Sequence, residues 1–361
     1  MMRSWLLDKN SIKKILIIRN DNIGDLICTT PAIQAVRKRF KNASISILVN
    51  RYNKDVIDGS GIANECFVYD KLKHGRHKSR LSAWLEMYRT FSEIRKREFD
   101  LVISCRSSYS PSVARMAYFT GARWRLGYVP QKGILPRFFY NIPVVAEKKP
   151  LHEVDKVYRL VASLGIENDN EGLAINIPEA EKNRAWDFLK EHGVKKDNYL
   201  AAIHISSRRP ENRWPIERFI KIINFLTSKD IKVVVLWMPG DDTNPMHPGD
   251  DRKAESIKEK VHGDVILYKT ESVKELIGVL SLCKLAICLD GGAMHIAAAL
   301  RIPVIALFGS TDLAVWGPYG KGHTVIKKED GIESISAKDV MDVINSKLPK
   351  RLMEKERMVV K

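Results

Sequence analysis

The sequence predicts a two-domain α/β protein with parallel sheets. Three observations lead there. Short, nearly continuous apolar runs recur, such as Lys-Ile-Leu-Ile-Ile-Arg at 14–19 and Leu-Ala-Ile-Cys-Leu at 285–289, as in strands buried on both faces. Segments of helical period alternate with these runs, as βαβ units require. The series also runs twice, on either side of the polar stretch Ile-Glu-Asn-Asp-Asn-Glu-Gly at 166–172. At 361 residues the chain has room for two domains of ordinary size. The expected divisions are 1–170, 171–330, and a C-terminal helix with a basic tail over 331–361.

The first half opens with a strand at 14–19, a turn Asn-Asp-Asn-Ile-Gly-Asp at 20–25, a helix over 26–40 and a strand at 44–49. A short strand at 66–69 is followed by a basic loop, Lys-Leu-Lys-His-Gly-Arg-His-Lys-Ser-Arg, at 71–80. A helix is expected over 81–97 and a strand over 100–104, with Arg106 just past its end. Residues 105–150, punctuated by Gly and Pro, show no clear period and read as irregular. A helix over 151–164 completes this half.

In the second half a helix covers about 179–192, a strand 199–204, a helix 215–228 and a strand 232–237. Pro215 stands where a first-turn proline is favoured. The loop 238–250 is rich in Gly, Pro and Asp. Alternating elements continue to the strand at 285–289, which ends in Asp290-Gly291-Gly292 and runs at once into a helix. Glycines there let a backbone approach a ligand, and a helix N-terminus presents free N–H groups to an anion, most naturally a diphosphate. An ordinary strand–helix turn uses the same residues. A strand at 303–307 and a last helix at 337–344 follow.

Composition narrows the function classes. Sixty Lys and Arg against 43 Asp and Glu leave a net charge of +17, which suits nucleic acid, an anionic membrane surface or a phosphorylated substrate. No nucleic-acid-binding module is recognisable, so a basic nucleic-acid binder is the weakest alternative. Five scattered cysteines lack Cys-x-x-Cys spacing, fit a reducing compartment and offer no metal site. The N-terminal apolar stretch is too short for a signal peptide, and no run approaches 18 apolar residues. The expectation is a cytoplasmic protein.

The N-terminal run 15–37, with its Ile-Gly-Asp at 23–25, resembles the opening of glycosyltransferase family 9, the bacterial lipopolysaccharide heptosyltransferases. Arg213-Trp-Pro-Ile-Glu-Arg-Phe219 and Asp290-Gly-Gly-Ala-Met-His295, continuing to Pro303–Asp312 and Gly317–Gly320, resemble it too. The resemblance implies the GT-B fold, two Rossmann-like domains facing a central cleft. It implies an inverting, metal-independent transfer of a sugar, usually heptose from ADP-heptose, onto lipopolysaccharide core. Its implied partners are a nucleotide-sugar donor, a lipid-linked phosphorylated glycan and the cytoplasmic face of an anionic inner membrane, with no cofactor and no nucleic acid. A nucleotide-sugar epimerase of similar fold is the alternative enzyme.

By that resemblance Asp25 is the catalytic base; by its position alone it reads equally as a helix N-cap or first-turn acid. Asp290, Gly292 and His295 correspond to donor contacts, joined by the Gly291 amide. Ser206 and Ser207, following the strand end at His204, are further donor candidates. Many family members carry Lys two residues before Trp-Pro. This chain has Asn212 there, so Arg213 or Arg208 is expected to supply the charge. Lys73, Arg76, Arg80, Arg106 and Arg123 are the acceptor-binding candidates, with a plain solvated basic surface as the alternative. Asp241, Asp242, Asp250 and Asp251 crowd one loop without a recognisable metal-ligand pattern.

Overall fold

The computed structural model describes Asp8, residues 10–69, 79–147, 149–169, 172–243 and 248–349, and Leu352. The chain divides into two compact units, Met1–Asn176 and Ile177–Lys361.

In the first unit the elements are β1 (Lys14–Ile18), α1 (Ile23–Arg39), β2 (Ser44–Val49), β3 (Glu65–Val68), α2 (Arg80–Lys96), β4 (Leu101–Ser104), α3 (Pro111–Phe119), β5 (Trp124–Val129), α4 (Leu135–Phe139), β6 (Ile142–Val145) and α5 (Glu153–Ala162). The strands form one six-stranded sheet in the order β3-β2-β1-β4-β5-β6. Every pairing in it is parallel. β1 is central, and Ile15 to Ile18 are fully buried, because helices cover both faces of a parallel sheet.

α1 carries Pro31 in its interior and does not break. A proline there has no N–H for the carbonyl four residues back. That carbonyl belongs to Ile27, and the Thr30 hydroxyl donates to it at 2.7 Å instead.

The second unit holds α6 (Glu179–Glu191), β7 (Leu200–His204), α7 (Ile216–Ser228), β8 (Lys232–Trp237), α8 (Asp251–Lys260), β9 (Val265–Lys269), α9 (Val273–Leu280), β10 (Leu285–Leu289), α10 (Gly292–Ala299), β11 (Val304–Phe308), α11 (Leu313–Trp316), β12 (Thr324–Lys327) and α12 (Ala337–Lys347). Its sheet runs β12-β11-β10-β7-β8-β9, the same order as the first sheet counted from the opposite edge. Trp214 anchors this core: it is 3% exposed, donates Nε1–H to the Ile335 carbonyl at 2.9 Å, and meets Phe219 edge-to-face. Val340 and Ile344 of α12 join the same cluster, so the C-terminal helix is part of this unit's core.

The stretch 105–150 is not irregular; it contains α3, β5, α4 and β6. Its strands are interrupted by Arg125, Gly127 and Pro143, which hide the apolar period. Pro143 is tolerated because β6 is the last strand of the sheet, where a missing N–H costs no ladder bond.

Candidate functional site

Each sheet order reverses direction at one point, between β1 and β4 in the first unit and between β7 and β10 in the second. In open α/β sheets ligands bind outside the carboxyl ends of the strands at such a point. The residues that leave those four strands are therefore the candidates.

In the first unit, β1 delivers Arg19 to that position. The side chain is 1% exposed and meets three carboxylates: Asp21 at 2.9 Å from Nε, and Asp25 and Glu153, each at 2.7 Å from Nη2. Nη1 donates to the Cys105 carbonyl just past β4. Arg106 approaches Asp21 at 3.4 Å from the outer side. Lys156 lies 3.9 Å from the other oxygen of Glu153, so three carboxylates meet three cations and their charges balance when all are ionised.

Asp25 does not sit in a turn ahead of the helix, as the sequence suggested. α1 begins at Ile23, so Asp25 occupies its first turn. Asn22 precedes the helix and makes no capping bond to the backbone; its Nδ2–H donates to Asp25 Oδ2 at 2.9 Å. The side chain of Asp25 is 13% exposed, against 1% for Glu153. Burial works to raise the Asp25 pKa, but the Arg19 charge, the Asn22 and Arg19 hydrogen bonds and Arg106 outweigh it and hold the carboxyl below its ordinary value. The site therefore presents an ionised carboxylate with one edge toward solvent.

In the second unit, β10 ends at Leu289 and α10 starts at Gly292. A side chain built on Gly291 would meet nothing within 4 Å, so the backbone there borders open space. Asp290 is half-buried and accepts from Asn212 Nδ2 at 3.0 Å; the same amide reaches Thr311 Oγ1 at 3.2 Å. Burial raises the Asp290 pKa, opposed by Thr311, Arg209, Asn212 and Lys327. His295 is 3% exposed on α10, with its ring 6.2 Å from that of Trp316.

The loop leaving β7 carries the two serines. Ser206 Oγ accepts from the Met238 amide at 2.9 Å, and Ser207 is buried with its hydroxyl donating to the Arg209 carbonyl at 3.3 Å. Arg213 turns its Nε–H onto the Ser207 carbonyl at 3.1 Å. The cations whose charge acts on Asp290 are Arg209 and Lys327. Asn212, at the position where many family members carry Lys, is a strut for Asp290.

The acceptor candidates separate. Arg106 joins the Asp21 cluster. Arg123 precedes β5, at the amino end of the strands, so it lies at the opposite edge of the sheet from Asp25; its guanidinium stacks 5.3 Å over the Trp124 ring. Lys73 and Arg76 lie outside the described residues, and Arg80 opens α2 without its side chain being described.

Three of the four acids between 241 and 251 have other work. Asp251 accepts from Trp237 Nε1 at 2.7 Å and from the Gly240 amide at 3.1 Å, Asp250 pairs with Lys253 at 2.5 Å, and Asp241 accepts from the Thr243 amide at 2.9 Å. Among the described residues no group of three His, Cys, Asp or Glu side chains is arranged to hold a metal ion.

Sequence reasoning passed over Arg19, Asp21 and Glu153 as site residues. A charged residue ending an otherwise apolar central strand was the available signal for Arg19. Nothing local marked Glu153, which α5 brings in from 134 residues away.

Comparison with known proteins accords with this layout. A model of glycosyltransferase family 9 (heptosyltransferase) matches residues 87–343, well over half of the chain. Lipopolysaccharide heptosyltransferase 3 of Escherichia coli K12 is 24% identical over 352 residues, covering 90% of this chain and 95% of the relative. The structure of a family 9 glycosyl transferase from Veillonella parvula matches with a TM-score of 0.82 at 23% identity, over 95% of this chain and 97% of the other. An E. coli heptosyltransferase solved with ADP-2-deoxy-2-fluoro heptose matches with a TM-score of 0.73 at 20% identity, over 93% and 100%. The fold these structures share with the chain is GT-B. With the family model spanning the switch point of the second sheet and the latter half of the first unit, the chain belongs to glycosyltransferase family 9, the heptosyltransferases, and is a glycosyltransferase.

Proposed function

We propose that the protein transfers a heptose from ADP-heptose to a hydroxyl of a lipopolysaccharide core glycan, with inversion at the anomeric carbon and without a metal ion. The observation that carries the reading is Asp25: an ionised carboxylate at the switch point of the first sheet, open to solvent on one side. It takes the proton of the acceptor hydroxyl as that oxygen attacks the anomeric carbon. The bond from that carbon to the diphosphate oxygen breaks, and ADP leaves with the electron pair. The N-terminal amides of α10, from Gly291 and Gly292, face the departing diphosphate, with Arg209 and Lys327 adding positive charge. Asp290 and His295 fix the rest of the donor, and the loop of Ser206, Ser207 and Arg213 borders it. Arg106, beside Asp25, meets a phosphate or hydroxyl of the acceptor.

Two observations on relatives support the donor and acceptor. The curated relative is named for lipopolysaccharide, and the structural neighbour holds a fluoro analogue of ADP-heptose. The family match favours transfer over epimerisation.

The test is incubation with ADP-heptose and with other nucleotide sugars, with and without a truncated lipopolysaccharide acceptor. Heptosylated product of inverted configuration, unchanged by a chelator, is expected. Product only from another sugar, loss of turnover on chelation, or an epimerised sugar formed without acceptor would overturn the reading.

A further inference from the structure

The outer face of α2 is apolar where a surface helix should be polar. Leu81, Trp84, Leu85 and Tyr88 are 69%, 62%, 49% and 72% exposed. Their spacing of three, four and seven residues puts them on one helical face. The inner face is occupied separately: Ile94 is buried and Phe91 packs against the same core cluster as α3. So the stripe is not a misplaced core face. In the next two turns the exposed positions are Arg89, Glu93, Arg95 and Lys96, three cations to one acid. The helical layer continues with a second patch: Ile134, Leu135 and Phe138 around α4 are 88%, 66% and 57% exposed, beside exposed Lys132 and Arg137.

The geometry points to a docking surface for an anionic phospholipid bilayer, with α2 lying in the plane of the headgroups. Trp and Tyr favour the boundary between headgroup and acyl chain, Leu the acyl side, and Arg and Lys the phosphates. A second copy of the chain is a poor occupant, since the face is flanked by cations and the net charge is +17. The helix lies on the membrane rather than across it: no described helix is long and apolar enough to span one. The inference deepens the transferase reading by naming the surface that would meet the bilayer, and its vesicle test needs no turnover, so the two can fail separately.

The full-length protein would be sedimented with vesicles of phosphatidylcholine and with vesicles containing about one third phosphatidylglycerol. Stronger binding to the anionic vesicles is expected. The variant Leu81→Ser/Trp84→Ser/Leu85→Ser/Tyr88→Ser should partition at least about tenfold less, since binding scales with buried apolar area. Brominated lipids should quench a tryptophan signal that Trp84→Phe removes. Should the quadruple variant melt differently from wild type, Arg89→Glu/Lys96→Glu provides the charge arm, and its binding should fall as well. Equal partitioning of the variants and wild type, or no quenching lost with Trp84, would overturn the proposal. So would a dimer without vesicles that the quadruple variant abolishes, which would assign the face to a second copy.

Discussion

Arg19 Nη2 stands 2.7 Å from Glu153 Oε1, with both side chains 1% exposed and 134 residues between them in the chain. The guanidinium is what makes the cluster possible. Burial disfavours its charge, yet Asp21, Asp25 and Glu153 hold its pKa above the ordinary arginine value. Removing one partner of a buried pair strands the other without compensation. Arg19→Met should therefore cost about 3–5 kcal/mol in stability. The double variant Arg19→Met/Glu153→Leu should recover part of that loss in urea melts. Strict additivity of the two single changes would show that the pair is not coupled.

Asp25→Asn tests the proposed base. The amide keeps the shape and removes the proton acceptor, so turnover should fall by about 10²–10⁴-fold with donor affinity unchanged. In wild type, the acid limb of kcat/KM should lie below the ordinary carboxylate range, since the folded Asp25 pKa is depressed. A depressed carboxylate pKa also contributes stability that is present above the unfolded value and lost as pH falls through the folded one. Near-normal turnover of a folded Asp25→Asn protein would reject the assignment.

Gly309 and Asn212 are linked by space. A methyl group on Gly309 would stand 2.4 Å from Asn212 Oδ1 and 2.5 Å from the Glu211 carbonyl. Gly309→Ala should push Asn212 off Asp290, and Asn212→Ala should remove the same hydrogen bond directly. Both changes, like Asp290→Ala, should weaken ADP binding by about 0.5–3 kcal/mol, the range for one polar contact. Calorimetry showing wild-type affinity in all three would detach this strut from the donor site.

His204 ends β7 with its imidazole kept neutral: burial lowers its pKa to about 4, against the opposing charge of Asp250 and a hydrogen bond with the Ser206 backbone. The unfolded chain protonates this histidine near pH 6.5, before the folded chain does. Its contribution is complete above that pH and is lost as pH falls to about 4, by up to about 3 kcal/mol. Urea unfolding of wild type and His204→Gln across that window should show a shallower pH slope in the variant. Identical slopes would mean that His204 charges equally easily in both states.

Outside 105–150 and the last edge strand, the alternation of strands and helices was legible in the chain, as was the placement of Asp290-Gly291-Gly292 at a strand–helix junction. Both depend on interactions a few residues long: an apolar run buried on two faces, a 3.6-residue period, a glycine where the backbone turns. The turn after the first strand was placed in the same way, although the helix begins three residues earlier than its apolar period indicated, and the role expected of Asp25 came from the family resemblance.

β6 was invisible because edge position, not composition, is what makes Pro143 acceptable, and β12, half-exposed at the far edge of the second sheet, carries a weak pattern for the same reason. The partners of Asp25 and Asp290 were likewise decided only by the tertiary structure. Arg19 reads locally as the polar end of a strand, and Glu153 as the opening acid of a helix. The doubly wound sheet places them together, where burial makes each charge depend on the other. Asn212, Thr311 and Asp290 meet by the same route, carried to one switch point by β7, β11 and β10. Sequence specifies each element through short-range periodicity, whereas the electrostatics of a buried site belong to pairs that only folding brings into contact.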